Sequence, residues 1–205
     1  MAIGDVSRRY LIAKRLFDVF VCILLLPVVL PLLALCALAI LLDSPGPVLI
    51  AQERTGRDGS PFRMLKFRTM VRNADELKPK LGHLNVLPPP DFKIPNDPRI
   101  TRVGKLLREA SLDELPQLFN VLRGDMSLVG PRPTSFAPST YQLWHTYRLE
   151  VTPGITGLWQ VKGRNTTTFD ERLRLDIEYI EQRSFGLDLK ILMQTVPSVL
   201  RRTGE

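Results

Sequence analysis

The sequence predicts a mainly helical α+β protein whose N-terminal part enters a membrane. An uncharged apolar run from Val19 to Leu42 is long enough to cross a hydrocarbon core, for which roughly 20 residues suffice. Behind it, short alternating segments typical of strands lie among segments whose apolar residues recur at helical spacing. The 205 residues are enough for one ordinary domain with a short appendage and too few for two large domains.

The charge balance favours partners that carry phosphate. With 28 Lys and Arg against 21 Asp and Glu, the net charge is +7, which suits a phosphorylated substrate, nucleic acid or an anionic membrane face. Both cysteines, Cys22 and Cys36, lie inside the apolar run and are interpreted as apolar filler rather than as a disulfide. His83 and His145 have no paired spacing, which argues against a zinc site.

Two prolines raise the question whether the apolar run spans the bilayer or turns back within it. Pro27 and Pro31 each remove a backbone hydrogen bond inside hydrocarbon, and a sharp bend at Pro27 is one consequence. Basic residues flank the run on both sides, including Lys14 and Arg15 before it and Arg54 after it, and positive charge marks the cytoplasmic side. A re-entrant helix satisfies both observations. Proline-kinked spanning helices are also common, so the residues alone leave both forms open.

The chain divides into three parts on this interpretation. Residues 1–15 form a basic lead, in which Lys14 and Arg15 are expected to contact lipid headgroups. Residues 16–43 form the membrane helix, and residues 44–205 form the remaining domain.

Within the domain, the pattern predicts a series of short elements. Strands are expected at 48–52 and 62–70, and the second has a basic face that carries Lys66 and Arg68. Helices are expected at 73–80 and 100–109, with a proline-rich loop at 87–98 between them. Further helices are expected at 135–151, 169–182 and 187–200, and the last is apolar enough to rest on a bilayer.

The segment 111–122 combines a helix-start signal with two adjacent acids. Ser111 and Glu114, placed just before apolar residues at helical spacing, fit a capping box, in which Asp113 and Glu114 would only complement the helix dipole. Pro116 complicates this interpretation, because a proline past the first turn lacks the amide that its helical bond needs.

The alternative for the same segment is a chemical role. Arg108 lies one turn upstream, and the Gly-Pro-Arg-Pro turn at 130–133 holds Arg132 on a rigid corner. Together with Asp113 and Glu114, these arginines suit a pocket for an anionic substrate.

Five motifs in the same order resemble those of the bacterial sugar transferases, the monotopic phosphoglycosyl transferases. They are KRLFD at 14–18 ahead of the proline-broken apolar helix, KFRTM at 66–70, SLDEL at 111–115, GDMSLVGPRP at 124–133 and PGITG at 153–157. The match extends from about residue 14 to the C-terminus, and five motifs in register are specific where one would be weak. The chain resembles the small form of the family, a catalytic core without further N-terminal membrane helices.

This resemblance implies a fold, a location and a reaction. The fold is α+β and mainly helical, with an N-terminal re-entrant membrane helix, a small catalytic domain on the cytoplasmic face of the bacterial inner membrane, and interfacial amphipathic helices. The reaction is transfer of a hexose-1-phosphate from a UDP-sugar to undecaprenyl phosphate or another polyprenol phosphate, with release of UMP and a requirement for Mg²⁺. It is the first membrane step in the synthesis of exopolysaccharide, O-antigen or a glycoconjugate.

The resemblance also implies roles for the two acids. Asp113 matches the family's nucleophile, which forms a covalent phosphosugar intermediate, and Glu114 matches its partner acid. Because the nucleophile and the phosphates are all negative, Mg²⁺ held by Asp113 and Glu114 would offset their repulsion.

Four basic residues are expected to bind the substrate phosphates. Arg132 and Arg108 can do so through paired donors. Lys66 and Arg68 are further candidates, and for both the alternative is a solvated face of the basic strand.

Two other functions stay open from the residues alone. The charge also suits a membrane-tethered nucleic-acid binder, but no helix-turn-helix, aromatic RNA platform or zinc spacing supports one, so no nucleic acid is expected as a partner. A non-catalytic envelope scaffold would not need Asp113. The sequence identifies neither the sugar nor the pathway, and it leaves a homodimer open.

Overall fold

The computed structural model describes residues 7–87, 91–134, 143–162 and 168–200 and has the predicted mainly helical α+β composition. The helices in this part of the chain are α1 (Arg8–Asp43), α2 (Ala74–Leu77), α3 (Arg102–Glu109), α4 (Gln117–Arg123), α5 (Leu158–Lys162), α6 (Phe169–Gln182) and α7 (Phe185–Leu200). The strands are β1 (Leu49–Thr55), β2 (Pro61–Phe67), β3 (Ser127–Val129) and β4 (Gly154–Thr156). Short 3₁₀ segments lie at Arg57–Gly59, Gly82–Leu84, Leu112–Glu114 and Leu143–Glu150.

The apolar run and the described part of the basic lead form one helix, α1. The Oγ of Ser7 accepts a hydrogen bond from the amide of Arg9 at its start, and the helix continues to Asp43 with Pro27 and Pro31 inside it. By length and composition α1 could cross a membrane, as predicted, and most of its apolar stretch is exposed. The secondary structure has no break at residue 15, where the predicted lead ends, and residues 1–6 of that lead lie outside the described residues.

One stripe of α1 is buried and the remaining faces are not. The buried residues recur at intervals of four or seven positions and therefore share a helix face; they are Asp18, Cys22, Val29, Cys36 and Ile40. Cys22 and Val29 belong to the main hydrophobic core, whereas Cys36 and Ile40 join a smaller cluster with Phe67. Both cysteines are buried and free, as the interpretation as apolar filler requires.

Polar contacts attach both ends of α1 to the domain. Near the N-terminal end, the Arg15 guanidinium donates to carbonyl oxygens at the end of α4, at 2.8 Å in the case of Leu122. At the C-terminal end, the Asp43 carboxylate accepts a hydrogen bond from the amide of Val103 at the start of α3, at 3.1 Å. The two ends of the apolar helix therefore bind the same domain.

Two small sheets give the domain its frame. β1 and β2 form an antiparallel hairpin in which Leu49 lies opposite Phe67. β3 and β4 pair in parallel, with Val129 opposite Thr156. The sequence predicted the two strands of this hairpin within a few residues, but not their pairing. It did not predict β3 and β4, because a strand of three residues is too short for alternation to show.

The predicted helices are confirmed in part. Those expected at 100–109, 169–182 and 187–200 correspond to α3, α6 and α7, each within two residues at its start. The helix expected at 73–80 is a single turn, α2. Of the helix expected at 135–151, residues 143–150 form a 3₁₀ segment instead, and residues 135–142 lie outside the described residues, as do residues 88–90 of the proline-rich loop.

Candidate active site

A large basic cavity adjoins the segment that carries the two acids. Its volume of about 1110 Å³ is ample for a small-molecule ligand. Most of its charged lining residues are basic, among them Arg54, Lys66, Arg99, Arg102, Lys105, Arg108, Arg132, Arg148 and Arg172. A concave surface with this many cations suits a substrate that carries more than one phosphate.

The Asp-Glu pair lies on a tight turn rather than on a capped helix. Ser111 has a left-handed φ of 55° and its side chain makes no capping hydrogen bond, so the predicted capping box is wrong. Residues Leu112–Glu114 form a 3₁₀ turn, and α4 begins only at Gln117, directly after Pro116. Pro116 therefore stands at the entrance of a helix, where a missing amide costs nothing.

Glu114 is held by two cations from distant parts of the chain. Both terminal nitrogens of Arg132 donate to its carboxylate, Nη1 to Oε2 at 3.0 Å, and Lys66 Nζ donates to Oε1 at 2.8 Å. Burial alone would raise the pKa of this carboxyl, but the charges of Arg132 and Lys66 hold it well below its usual range. Glu114 is therefore ionised, and both of its oxygens are occupied.

Asp113 lies beside the same lysine but has no hydrogen-bond partner among the described residues. It is buried, and its Oδ2 lies 3.8 Å from Lys66 Nζ, too far for a hydrogen bond. Burial raises the pKa of the Asp113 carboxyl, the charge of Lys66 opposes this, and the net shift is upward. A more basic carboxylate with unoccupied lone pairs is the better nucleophile, so these features are consistent with the predicted role of Asp113, which stays a prediction.

The two acids do not themselves line the cavity. Lys66 and Arg132, which contact Glu114, do line it. A phosphate bound by these two cations would therefore lie next to the turn that carries Asp113.

The corner that carries Arg132 is fixed by close backbone packing. The amide of Gly130 donates to the carbonyl of Thr156, and the amide of Gly154 donates to the carbonyl of Pro131, both at 2.9 Å. A Cβ on Gly154 would come within 2.1 Å of the Gly130 nitrogen, so only glycine allows this approach. The GPRP and PGITG motifs thus form one structural unit that positions Arg132.

Asn120 fixes the strand of Lys66 against α4. Its fully buried side chain accepts a hydrogen bond from the Leu65 amide at 2.9 Å and donates to the Arg63 carbonyl at 2.8 Å. These bonds satisfy the edge of β2 and set the position of Lys66 relative to the acidic turn.

Arg108 also lies at the cavity. Its Nε donates to the Thr69 hydroxyl at 2.8 Å, which leaves other guanidinium donors for a ligand. Burial lowers the pKa of Arg108, and the charge of Asp113 opposes this. The structure therefore brings together five predicted site residues, namely Lys66, Arg108, Asp113, Glu114 and Arg132.

Arg68 is not part of this group. It follows the last residue of β2, is buried, and donates to the carbonyl oxygens of Ser44, at 2.6 Å, and Pro45. These bonds hold the end of α1, and Arg68 does not line the cavity. Its predicted phosphate contact finds no support in this position.

The two cations expected at lipid headgroups have protein partners. Lys14 Nζ donates to Asp188 Oδ2 on α7 at 2.9 Å, and Arg15 binds the end of α4. Contact of Lys14 and Arg15 with headgroups stays a prediction, as does the bend at Pro27.

Two further cavity residues were not predicted. Arg148 Nη2 lies 2.8 Å from Asp176 Oδ2 and also donates to the carbonyl of Arg132, so it connects α6 to the corner described above. Asp176 had a signal in the sequence, because an acid between Leu173 and Ile180 on the apolar face of a helix is out of place. Arg148 had none.

The two acids differ in their fitness to hold Mg²⁺. This ion is usually bound through one or two carboxylates together with water and substrate phosphates. Asp113 has lone pairs to offer, whereas Glu114 already accepts three hydrogen bonds from Arg132 and Lys66 and has fewer lone pairs left for an ion. No group of three or more His, Cys, Asp or Glu side chains that could hold a metal occurs among the described residues. A site made of Asp113 and substrate oxygens is the arrangement that fits.

Comparisons with known proteins agree with the motifs. The family model described as bacterial sugar transferase matches residues 9–202. The chain is 45% identical to the undecaprenyl-phosphate galactose phosphotransferase of Salmonella typhimurium, over 97% of this chain and 42% of that protein. It is 46% identical to the UDP-glucose:undecaprenyl-phosphate glucose-1-phosphate transferase of Caulobacter vibrioides, over 91% of this chain and 69% of that protein.

A third relative is the exopolysaccharide production protein ExoY of Rhizobium meliloti, 39% identical over 94% of this chain and 87% of that protein. The chain thus spans less than half the length of the Salmonella relative but most of the length of the Caulobacter and Rhizobium relatives. With the family model covering nearly the whole chain, the protein belongs to the bacterial sugar transferase family.

Proposed function

We propose that this protein transfers a hexose-1-phosphate from a UDP-sugar to a polyprenol phosphate such as undecaprenyl phosphate and releases UMP. The observation that carries the proposal is the contrast within the acidic turn, where Glu114 is saturated by cations and the adjacent Asp113 is not. The names of the Salmonella and Caulobacter relatives support the same reaction. Exopolysaccharide, O-antigen or glycoconjugate synthesis is the process that such a product would enter.

The chemistry proceeds in two displacements on one phosphorus atom. In the first, a carboxylate oxygen of Asp113 attacks the phosphorus that bears the sugar, a new P–O bond forms, and the bond to the UMP oxygen breaks. In the second, an oxygen of the lipid phosphate attacks the same phosphorus and the Asp113 carboxylate leaves. The covalent phosphosugar-aspartyl intermediate divides one difficult transfer into two easier ones.

The surrounding cations supply the electrostatic part of catalysis. The attacking carboxylate and the diphosphate of the donor are both negative. Their repulsion must be offset in the transition state. Lys66 contacts both acids, and Arg132 is held by Glu114 with its guanidinium at the cavity, so both are preorganised for phosphate oxygens. Mg²⁺, bound by Asp113 and the substrate phosphates, would supply further charge neutralisation.

The attachment of α1 supports a re-entrant membrane helix. A helix that crossed the bilayer would place its two ends on opposite sides, yet Arg15 and Asp43 both bind the same domain through polar contacts. Positive residues on both flanks of the run support a position of the domain on the cytoplasmic face of the inner membrane. The prolines inside α1 provide a site for the turn, as proposed for Pro27.

Helix α7 supports a position of the domain on the bilayer surface. Exposed apolar residues recur along it at helical spacing, at Phe185, Leu189, Met193 and Val196. An interfacial helix buries such a stripe in the headgroup region, which would hold the acidic turn near the depth of the lipid phosphate.

The experiment that tests the proposal detects the intermediate directly. Purified protein in detergent or nanodiscs, supplied with Mg²⁺ and UDP-glucose or UDP-galactose but no lipid acceptor, should gain the mass of one hexose phosphate and release about one UMP per chain. Adding undecaprenyl phosphate should remove the adduct. Peptide mapping should place the adduct on Asp113.

The matched control is Asp113→Asn, which keeps the shape of the side chain and removes the nucleophile. It should gain no adduct, while Asp58→Asn, an acid with an exposed side chain, should behave as the unaltered protein. An adduct of undiminished yield in the Asp113→Asn protein would contradict the proposal.

A further inference from the structure

Asp176 on α6 is a buried acid at the cavity, and one of its oxygens has no hydrogen-bond partner among the described residues. Asp176 lines the cavity and is only 1% exposed. Its Oδ2 is paired with Arg148 at 2.8 Å, whereas its Oδ1 has no hydrogen-bond partner among the described residues. Leaving a buried charged oxygen unpaired costs free energy, so such an atom in a native protein needs an explanation, and a ligand is one.

The cavity that Asp176 lines also has the aromatic side chains typical of a small-molecule subsite. Trp159 and Phe169 line the same cavity, and the Arg172 guanidinium lies 5.6 Å from the centroid of the Trp159 ring. Flat apolar surface together with a few polar atoms in fixed positions is typical of sites that recognise the non-phosphate part of a ligand. The cations that suit phosphate, Lys66 and Arg132, belong to other elements of the cavity wall.

The charge around Asp176 restricts what can bind to it. Burial raises the pKa of Asp176 to about 6, against the charges of Arg148 and Arg172, so the carboxylate is ionised at pH 7 and above. An ionised carboxylate can only accept hydrogen bonds, so the ligand atom must be a donor. A cationic donor is disfavoured, because Arg148 and Arg172 already act on this acid. A neutral donor is favoured, and the ring hydroxyls of a nucleotide sugar are the most numerous donors of this kind.

We propose that Oδ1 of Asp176 accepts a hydrogen bond from a ring hydroxyl of the nucleotide-sugar donor and thereby helps to determine which donor is used. The inference rests on the function proposed above and adds a specificity residue to it. Arg148 connects this contact to the chemistry, since the same nitrogen that pairs with Asp176 also donates to the carbonyl of Arg132. Binding of the sugar part in the correct position would therefore affect the position of Arg132, which binds phosphate.

The test measures binding rather than turnover. The reference is the Asp113→Asn protein, which should bind donor without consuming it, and the comparison adds Asp176→Asn to it. The affinity for UDP-glucose and UDP-galactose should fall by about 10- to 100-fold, the worth of one hydrogen bond to a charged group. For a deoxy donor that lacks the contacted hydroxyl, the substitution should make no difference.

Two ligand series distinguish the sources of the hydroxyl. If the hexose supplies it, Asp176→Asn leaves the affinity for UMP unchanged. It also leaves unchanged the affinity for the one deoxy-hexose donor that lacks the contacted hydroxyl. If the ribose supplies it, the affinity for UMP falls while that for 2′-deoxy-UMP or 3′-deoxy-UMP does not. The first pattern supports the proposal; the second would overturn it, because the ribose is common to every UDP-sugar and cannot select among donors. Asp91→Asn, an acid that lines the same cavity but is paired with Arg172, serves as the control and should show no ligand-selective loss.

A uniform loss across all ligands, or no loss, would overturn the inference and assign Asp176 a purely structural role. Deoxy donors tested with Asp176 intact provide a second measurement that does not depend on folding of the variant. If the protein with Asp176 intact binds no hydroxyl-bearing ligand at least 10-fold more tightly than the corresponding deoxy ligand, the inference is overturned. Failure of every UDP-sugar to bind the Asp113→Asn protein would instead overturn the proposed function, and this inference with it.

Discussion

Asp113 and Asp188 are both buried acids beside a lysine, yet their surroundings differ. Asp188 accepts hydrogen bonds from Tyr10 at 2.9 Å, Lys14 at 2.9 Å and Tyr179 at 2.7 Å, so both of its oxygens are occupied. Within the part of the chain that the structure describes, the one partner of the Asp113 carboxylate is Lys66, in an ion pair at 3.8 Å. The first acid fastens α1 to α7, and the second adjoins a basic cavity.

The difference teaches how to separate structural acids from reactive ones in this fold. In a saturated carboxylate, protein donors have replaced the hydrogen bonds from water, so contact with a ligand adds no favourable free energy. An unsaturated one still has lone pairs for a metal or a phosphorus atom. By this criterion Glu114, although adjacent to Asp113, resembles Asp188 in being saturated, and its contribution is to hold Arg132 and Lys66 in place.

The largest expected effect is that of Asp113→Asn on turnover. Removing a nucleophile typically lowers the rate by roughly 10⁴-fold or more. Its free energy of unfolding should stay within about 1 kcal/mol of the unaltered protein, because no close hydrogen bond is lost. UMP release and thermal unfolding in detergent measure the two quantities on one preparation. A rate within tenfold of normal would remove Asp113 from the mechanism.

Asp188→Asn should produce the opposite pattern. Neutralising one partner of a buried pair leaves Lys14 uncompensated and should lower the free energy of unfolding by about 3 kcal/mol. For a chain of this size, that corresponds to a melting temperature lower by roughly 6–12 °C. The rate per folded molecule should stay within tenfold, and Asp58→Asn is the stability control. A large loss of rate with unchanged stability would erase the distinction between the two acids.

These two residues also show what the sequence could and could not predict. The motifs led to Asp113, Glu114, Arg132 and Arg108, because adjacent acids and a rigid arginine turn are local patterns. Asp188 carried no local signal. Its importance depends on Tyr10 and Lys14, which are more than 170 positions away in the chain, and only the tertiary fold brings them together.

Two local errors have equally physical causes. The Ser111 to Glu114 spacing fits a capping box, but Pro116 sets the start of α4 and leaves Ser111 in a left-handed turn. Lys66 and Arg68 would share a face if the strand continued. It ends at Phe67, so Arg68 turns away to the end of α1 while Lys66 stays at the acidic turn. In both cases the error lies at the boundary of an element, where local patterns are least informative.

A smaller effect concerns the pH dependence of the first displacement. Burial raises the pKa of Asp113, and Lys66 is the strongest group that lowers it, so Lys66→Met should raise this pKa further. The carboxylate would then become protonated, and inactive, at a higher pH. The acid limb of the pH profile for adduct formation should move upward in pH relative to the unaltered protein. Lys105→Met, which removes a cation from the same cavity, should leave the limb in place. A limb that moves downward would contradict the assigned role of Lys66.

The smallest expected effect is that of removing one of the three hydrogen bonds that Asp188 accepts. Tyr10→Phe removes one of its three donors and leaves Lys14 and Tyr179 in place, so the acid stays paired. The loss should be about 1 kcal/mol, the usual net value of one hydrogen bond, or roughly 2–4 °C in melting temperature. Tyr147→Phe removes a hydroxyl from the 3₁₀ segment outside this network and should have less effect. If Tyr10→Phe instead destabilised the protein as much as Asp188→Asn, the network would be cooperative, and each donor would be needed to hold α1 against α7.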